Sequence, residues 1–140
     1  MTIKSYDALP PEAIKIRTAV FMDEQGFNDE FDRIDEFSTH LVVFDNDEPA
    51  AVCRFYFDEK MQEYLIGRLA VVKEYRGKGL GRELVKEAER LIKMKGGKSI
   101  SLHSQCQAVP FYERLGYIAF GESDFDESCP HRWMRKNIFG

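Results

Sequence analysis

Residues 71–89 read VVKEYRGKGLGRELVKEAE and place three glycines at every second position between two different sequence patterns. Before the glycines, Tyr64 to Val72 is mostly aliphatic, which is typical of a strand covered on both faces. After them, apolar side chains recur every three or four residues from Leu80 to Ile92, which predicts an amphipathic helix that ends at Gly96-Gly97. A strand that turns through glycines into a helix points several main-chain N–H groups outward, where they can bind an anion.

The turn also carries positive side chains. Arg76, Lys78 and Arg82 add full charges to the partial positive charge at the N-terminus of the helix. A tight turn can need glycine for a positive φ angle alone, but three alternating glycines interleaved with cations favour a phosphate-binding loop. The spacing G-x-G-x-G matches neither the Walker A motif nor the dinucleotide fingerprint, so the sequence predicts a phosphate ligand of another kind.

The remaining patterns predict a mixed sheet. Ser99 to His103 alternates with period two, so it forms a parallel strand pair with Tyr64 to Val72 across the intervening helix. Further upstream, His40 to Asp45 and Ala50 to Asp58 form an antiparallel hairpin. Shorter elements are a strand at Ile3 to Tyr6, a helix from Pro10-Pro11 to near Gly26, a helix at Ala108 to Leu115 and a last strand at Arg132 to Lys136. The predicted fold class is α/β (α+β), with a mostly antiparallel sheet, a central parallel pair, and helices on both faces.

Composition narrows the class of protein. The 140 residues suffice for one hydrophobic core, so we expect one domain, residues 1–140. A net charge of -4 argues against nucleic-acid binding through a general basic field. No apolar run approaches the roughly 18 residues of a membrane span, and the N-terminus lacks a signal-peptide core, so we expect a cytoplasmic protein without a membrane partner. Cys53, Cys106 and Cys129 form no C-x-x-C pair, so we expect reduced thiols and no metal site.

Two motifs together resemble a known family. Arg76, Gly79 and Gly81 form R-x-x-G-x-G shortly after the aliphatic run Leu69-Ala70-Val71. The second motif, N/Q-x-x-A-x-x-F-Y-x-x-x-G-F/Y, is matched by Gln105, Ala108, Phe111, Tyr112, Gly116 and Tyr117. In this order and at this separation the motifs resemble the GNAT superfamily of acetyl-CoA-dependent N-acetyltransferases over residues 65–117.

The N-terminal half is similar to one branch of that superfamily. R-x-x-V-F-x-x-E-Q is followed by an acidic stretch and by H-L-V, and Pro130-His131 precedes the last strand, as in the ElaA-like and YjcF-like branch. The matching residues of the first half are Arg17, Val20, Phe21, Glu24, Gln25, His40, Leu41 and Val42. The resemblance implies acetyl-CoA as the donor and leaves the acceptor open.

The resemblance also implies which residues bind the cofactor. The main chain of residues 69–71 would hydrogen-bond the pantetheine arm, and an N–H near Val71 would stabilise negative charge on the thioester oxygen. The alternative is that these side chains are simply core, and both interpretations can hold at once. The expected cofactor-binding residues are Leu69, Ala70, Val71, Arg76, Gly77, Lys78, Gly79, Leu80, Gly81, Arg82, Gln105 and Phe111.

Catalytic roles are implied less specifically. Tyr112 matches the family's proton donor to the leaving thiolate, although an aromatic that packs the helix on the sheet is the alternative. An amine of pKa near ~10.4 must lose a proton to a general base or to a water chain before it attacks, and the candidate bases are Glu24, His131, Glu36 and His40. The resemblance also implies that the acetyl group passes directly from acetyl-CoA to the amine while both are bound in a ternary complex. An acetyl-cysteine route through Cys106 would need an activated thiolate, for which the sequence shows no base.

The acceptor is expected to be a small-molecule or peptide amine. Seven acidic residues against Arg33 occupy positions 23–36, and a second acidic group is Glu122, Asp124, Asp126 and Glu127. These charges would attract a cationic amine if they flank its cleft, or they are solvated loops. Two other functions stay open, a non-catalytic acetyl-CoA sensor and a nucleotide-binding module. A homodimer stays open as well.

Overall fold

In a computed structural model, residues 1–28, 31–126 and 129–138 of the protein are described. The elements are β1 (Thr2–Tyr6), α1 (Pro11–Arg17), β2 (Thr39–Asp45), β3 (Glu48–Asp58), β4 (Glu63–Val71), α2 (Leu80–Met94), β5 (Ser99–Gln105), α3 (Val109–Arg114), β6 (Ile118–Asp126) and β7 (Cys129–Asn137). A π-helical segment, Thr18–Glu24, continues α1, and 3₁₀ turns lie at Arg33–Glu36, Lys73–Tyr75 and Cys106–Ala108.

The strands form one sheet in the order β1-β2-β3-β4-β5-β7-β6. Strands β4 and β5 are parallel, with Tyr64 opposite Ile100 and Leu65 opposite Ser101. The pairs β1-β2, β2-β3, β5-β7 and β6-β7 are antiparallel. The predicted α+β class with a mostly antiparallel sheet and one parallel pair is confirmed.

Contacts divide the chain into two compact units. The N-terminal unit comprises Met1–Tyr56 and Ile66–Ala88, and the C-terminal unit comprises Phe57–Leu65 and Glu89–Gly140. The prediction of one domain over residues 1–140 stays a prediction. No helix within the described residues is long and apolar enough to cross a membrane.

The core of the N-terminal unit forms between the first helix and the sheet. Pro10 precedes α1 with an extended backbone, and Pro11 takes the first helical position, where its missing N–H costs nothing. Apolar side chains of α1 and the π-helical segment pack on β2, β3 and β4; this cluster contains Ala13, Ile16, Val20, Phe21, Val42, Phe44, Val52 and Ala70. Because neighbouring strand residues point to opposite faces, the burial of Leu41, Val42 and Val43 shows that both faces of β2 are covered.

The C-terminal unit is built around the antiparallel pair β5-β7. Ile100 and Leu102 of β5 and Met134 of β7 are buried, together with Ile92 of α2. Burying each such side chain stabilises the fold by roughly 1.5–3 kcal/mol. The alternate residues of these strands form a second face that carries His103, His131 and Trp133.

Three sequence expectations need correction. Strand β6 was missed, because its alternation is interrupted at Gly121, which has a φ of 71°, and by a run of polar residues. The last strand is longer than predicted and begins at Cys129. The second half of β4 is not covered on both faces: Ala70 is buried, whereas Leu69 and Val71 are half-buried.

Candidate functional site

The glycine turn has the geometry of an anion-binding loop. Gly77 and Gly79 both have a φ of 80°, a conformation that residues with a side chain rarely adopt. Helix α2 begins directly afterwards, and the Glu83 N–H bonds back to the Gly79 carbonyl at 3.1 Å. Helix geometry leaves the earlier N–H groups without a partner inside the helix. The space beside both glycines is open, because an added Cβ would meet no heavy atom within 4 Å.

The first cation of the loop is already engaged within the N-terminal unit. Arg76 donates from Nε to the Val71 carbonyl at 3.0 Å and from Nη2 to Oε1 of Glu24 at 2.8 Å. Lys78 lies 5.5 Å above the ring of Tyr75, and Arg82 is exposed. Two predicted site residues, Glu24 and Arg76, are therefore brought together across 52 positions of sequence. The charge of Arg76 is partly compensated by a carboxylate.

The strand before the loop is irregular at Arg68. Its φ of 53° lies in the left-handed region, which is uncommon for a residue other than glycine and interrupts the regular strand geometry. Three residues later the Val71 carbonyl accepts the bond from Arg76, so the end of β4 and the start of the loop are tied together. The next N–H, that of Val72, bonds to the Ala50 carbonyl of β3 at 2.9 Å.

The acidic stretch is largely neutralised where it is described. Arg17 donates to Oδ1 and Oδ2 of Asp35 at 2.7 and 3.1 Å, and Arg54 donates to the same Oδ1 at 2.8 Å. Arg54 also binds Asp32 at 2.7 Å, and Arg68 binds Asp32 at 3.3 Å. The two carboxylates thus fasten the 3₁₀ turn to β3 rather than form an open negative surface. Asp29, Glu30 and Glu127 lie outside the described residues, as does the side chain of Asp126.

This buried network controls the charge of Asp35 and His40. Burial alone would raise the pKa of Asp35, but the hydrogen bonds and charges of Arg17 and Arg54 outweigh it and lower the pKa to about 2. His40 is buried, and its Nε2 lies 3.0 Å from the Asp35 carbonyl, which can only accept, so Nε2 carries the proton. Burial lowers the pKa of His40. A neutral His40 that donates to a main-chain carbonyl has a structural role, so it is a poor candidate for the general base. The other candidate of this segment, Glu36, has an exposed side chain.

Tyr112 lies in the C-terminal unit at the second motif. Its side chain is buried, and its ring makes edge-to-face contacts with Phe111 at 4.9 Å and with Tyr117 at 5.9 Å. The Tyr117 hydroxyl donates to Glu89 of α2 at 2.8 Å, and the side chain of Gln105 accepts a bond from Gln107. Burial and these two ring contacts therefore restrict the orientation of the Tyr112 side chain.

His131 belongs to a histidine stack that sequence reasoning missed. It is buried, and its ring stacks on that of His103 at 4.6 Å. His103 stacks in turn on Trp133 at 4.8 Å, and its Nε2 lies 2.7 Å from Oδ1 of Asp124. The hydrogen bond from His103 lowers the pKa of Asp124. The sequence did contain a signal for His103. It precedes Gln105, a predicted site residue, by two positions on the same strand, so the two side chains lie on the same face of the sheet.

The structure groups the predicted residues by unit. The N-terminal unit holds Glu24, Glu36, His40, Leu69, Ala70, Val71, Arg76, Gly77, Lys78, Gly79, Leu80, Gly81 and Arg82; the C-terminal unit holds Gln105, Cys106, Phe111, Tyr112 and His131. Cys106 is half-buried. Burial raises the pKa of Cys53 to about 12, so that thiol stays protonated. The side chain of Cys129 lies outside the described part of the chain.

A family model described as an acetyltransferase (GNAT) domain matches residues 7–138. The chain belongs to the GNAT acetyltransferase family. This GNAT chain is 35% identical to YyaT of Bacillus subtilis over 91% of its own length and 88% of that protein. It is 32% identical to the uncharacterized N-acetyltransferase YjcF of the same organism, over 90% and 91% of the two chains.

Solved structures support the same GNAT fold. A crystal structure of a proposed N-acetyltransferase from Lactobacillus plantarum superposes with a TM-score of 0.87 at 27% identity, covering 99% of this chain and 100% of that one. Escherichia coli ElaA superposes with a TM-score of 0.85 at 24% identity over 97% and 99% of the chains, which shows the shared fold. The predicted resemblance to the superfamily and to its ElaA-like and YjcF-like branch is confirmed.

Proposed function

We propose that the protein transfers an acetyl group from acetyl-CoA to a primary amine, by direct transfer in a ternary complex. The observation that carries the proposal is the loop at the start of α2. Its two left-handed glycines and the first N–H groups of the helix, which have no partner inside the helix, would form a main-chain anion site, and the space beside the glycines is open.

The residues of the loop suit a diphosphate. Main-chain N–H groups of residues 77–82 would donate to phosphate oxygens, and Lys78 and Arg82, both exposed, would add charge. The main chain at Leu69 and Val71, two half-buried residues, would hold the pantetheine arm. An aminoglycoside 6'-N-acetyltransferase solved in complex with coenzyme A shares the fold, with a TM-score of 0.79 at 18% identity over 100% of this chain and 98% of that one. This likeness supports coenzyme A as the ligand class.

Acetyl-CoA would supply a reactive thioester, and the protein would supply orientation and proton transfer. The Val71 N–H would stabilise negative charge on the thioester oxygen. The phenol of Tyr112, fixed by the rings of Phe111 and Tyr117, would donate its proton to the departing sulfur. Either the carboxylate of Glu24 or the imidazole of His131 would take the proton of the attacking amine.

The acceptor we propose is a small cationic amine. Asp23 and Glu36 are exposed and would attract it, although three neighbouring carboxylates, those of Glu24, Asp32 and Asp35, are already paired with arginines. Rates for polyamines and for neutral amines should be compared at low and high salt, because steering by exposed charges is screened by salt. Equal rates for polyamines and neutral amines at low salt would contradict the proposal that exposed carboxylates attract a cationic acceptor.

An amine-library screen with acetyl-CoA tests the reaction itself. We expect turnover by the wild type and a loss of about 10²- to 10⁴-fold in kcat for Tyr112→Phe, the range of a general acid. Tyr117→Phe is the matched control, because it removes a buried hydroxyl that bonds Glu89 instead. Parallel loss in Glu24→Gln or in His131→Asn would identify the base. Equal activity of Tyr112→Phe and Tyr117→Phe would exclude Tyr112 as the acid.

A non-catalytic acetyl-CoA sensor is the alternative. The burial of Tyr112 and its contacts with two aromatic rings favour it, because a packing role would explain the same side chain. Thermal melts separate the functions. Coenzyme A at 100 times its Kd should add about 2.7 kcal/mol of stability in either case. Stabilisation without turnover of any amine indicates the sensor, and stabilisation by ATP in place of coenzyme A would contradict both.

A further inference from the structure

Glu24 and Arg76 form an exposed ion pair in which another anion could replace the carboxylate of Glu24 on Arg76. Glu24 ends the π-helical segment after α1, and Arg76 begins the glycine loop. Their side chains are 37% and 44% exposed, and Nη2 lies 2.8 Å from Oε1. An exposed pair of this kind contributes only about 0–1 kcal/mol, because water competes for both charges. A stronger anion can therefore replace Glu24 at small cost.

The second contact of Arg76 holds its guanidinium at the loop. Nε donates to the Val71 carbonyl at 3.0 Å, so the guanidinium is anchored where β4 passes into the turn. The guanidinium has two further donor groups, Nη1 and Nη2, and Nη2 donates to the carboxylate of Glu24. Two parallel N–H groups of arginine match the oxygens of a carboxylate and of a phosphate equally well. The two kinds of anion are thus interchangeable at this edge.

We propose that Glu24 occupies Arg76 as an internal substitute for the cofactor's diphosphate, so that binding of the diphosphate displaces the Glu24 carboxylate. The inference rests on the proposed function and adds a role for Glu24 that acts through Arg76. Glu24 is a positioning residue in this role. It lowers the affinity for the cofactor, and its carboxylate becomes available only when the loop is filled.

The exchange links the two substrates. A carboxylate released from Arg76 carries an uncompensated negative charge, which attracts a protonated amine or accepts its proton. Because such coupling is reciprocal, a cationic amine that binds Glu24 strengthens cofactor binding by the same factor. The order of addition that follows is acetyl-CoA first and the amine second, which prevents an amine from occupying Glu24 before the donor is present.

Calorimetric titration with coenzyme A and with dephospho-coenzyme A tests the inference. The variants are Glu24→Gln, Arg76→Gln, the double variant and Asp23→Asn, which removes the same charge one position earlier from an exposed side chain. We expect Glu24→Gln to tighten both ligands about two- to fivefold, the range of an exposed ion pair. The gain should be equal for both ligands, since both contain the diphosphate. It should vanish in the Arg76→Gln background.

Three outcomes contradict the inference. An equal gain in Asp23→Asn would indicate only the general field of the acidic segment. Weaker binding by Glu24→Gln would indicate that the pair braces the loop in its binding conformation. A gain that persists without Arg76 would place the effect elsewhere. Failure of the wild type to bind either ligand would instead refute the proposed function, and with it the inference, so the two failures are distinguishable.

Discussion

Arg17 and Asp35 form a bidentate ion pair that is almost wholly removed from solvent, with side-chain exposures of 1% and 6%. The two side chains come from α1 and from the 3₁₀ turn at the end of the acidic stretch. Arg54 of β3 donates to the same carboxylate. The pair thus joins a helix, a turn and a strand of the N-terminal unit, and its charge state affects the stability of all three.

The stability of the fold should fall in acid because of Asp35. The pKa of Asp35 is about 2 in the folded protein, whereas its ordinary value is 3.8. Between these two pH values the unfolded chain binds a proton at Asp35 that the folded chain does not bind. The stabilisation, about 2 kcal/mol, is complete above pH 4 and is lost as the pH falls through 2. Urea denaturation at pH 6, 4 and 2.5 measures it. Asp35→Asn should reduce this acid dependence, Asp23→Asn should not, and equal pH profiles for the two variants would contradict the assignment.

Removal of Arg17 should be costly. Arg17→Met leaves the carboxylate of Asp35 buried with one arginine in place of two, and loss of one partner from a buried pair destabilises by about 3–5 kcal/mol. Chemical denaturation gives the free energy of unfolding directly. Arg33→Met is the control, since Arg33 is an exposed arginine on the 3₁₀ turn that carries Asp35. A cost below about 1 kcal/mol for Arg17→Met would mean that Arg54 alone satisfies Asp35.

The loop glycines should be needed for ligand binding and not only for folding. Gly79→Ala places a side chain at a φ of 80° and should cost about 1–2 kcal/mol of stability. Gly26→Ala is closely matched, with a φ of 79° and open space beside it, but lies outside the loop. We expect both to lower the melting temperature alike. Only Gly79→Ala should weaken coenzyme A, by about tenfold or more, as for loss of one bond to a charged group.

The cysteines should differ in reactivity. Burial raises the pKa of Cys53 to about 12, so it should resist a thiol reagent until the protein unfolds, whereas the half-buried Cys106 should react in the native state. Mass spectrometry of labelled peptides before and after urea treatment reads out both. Cys106→Ala should keep most acetyl transfer, because the proposed reaction is direct. Near-complete loss of activity in that variant would indicate an acetyl-cysteine route.

The local elements of the site could be predicted from sequence. The aliphatic run, the glycine turn and the amphipathic helix predicted β4, the loop and α2 to within a residue or two, because period, glycine and helix patterns are short-range signals. The same signals failed for β6. There Gly121 breaks the alternation, and the strand is held by its pairing with β7 rather than by its own pattern.

The pairs that give the site its electrostatics depend on the tertiary structure. The sequence determined that the chain carries a glycine-rich turn with basic side chains, two motif elements and a surplus of acidic residues. Only the tertiary structure decided that Glu24 bonds Arg76, that Arg17 and Arg54 neutralise Asp35, and that His131 stacks on His103. Each of these contacts joins residues at least 18 positions apart. Such contacts follow from strand register and helix packing, which no short stretch of sequence encodes by itself.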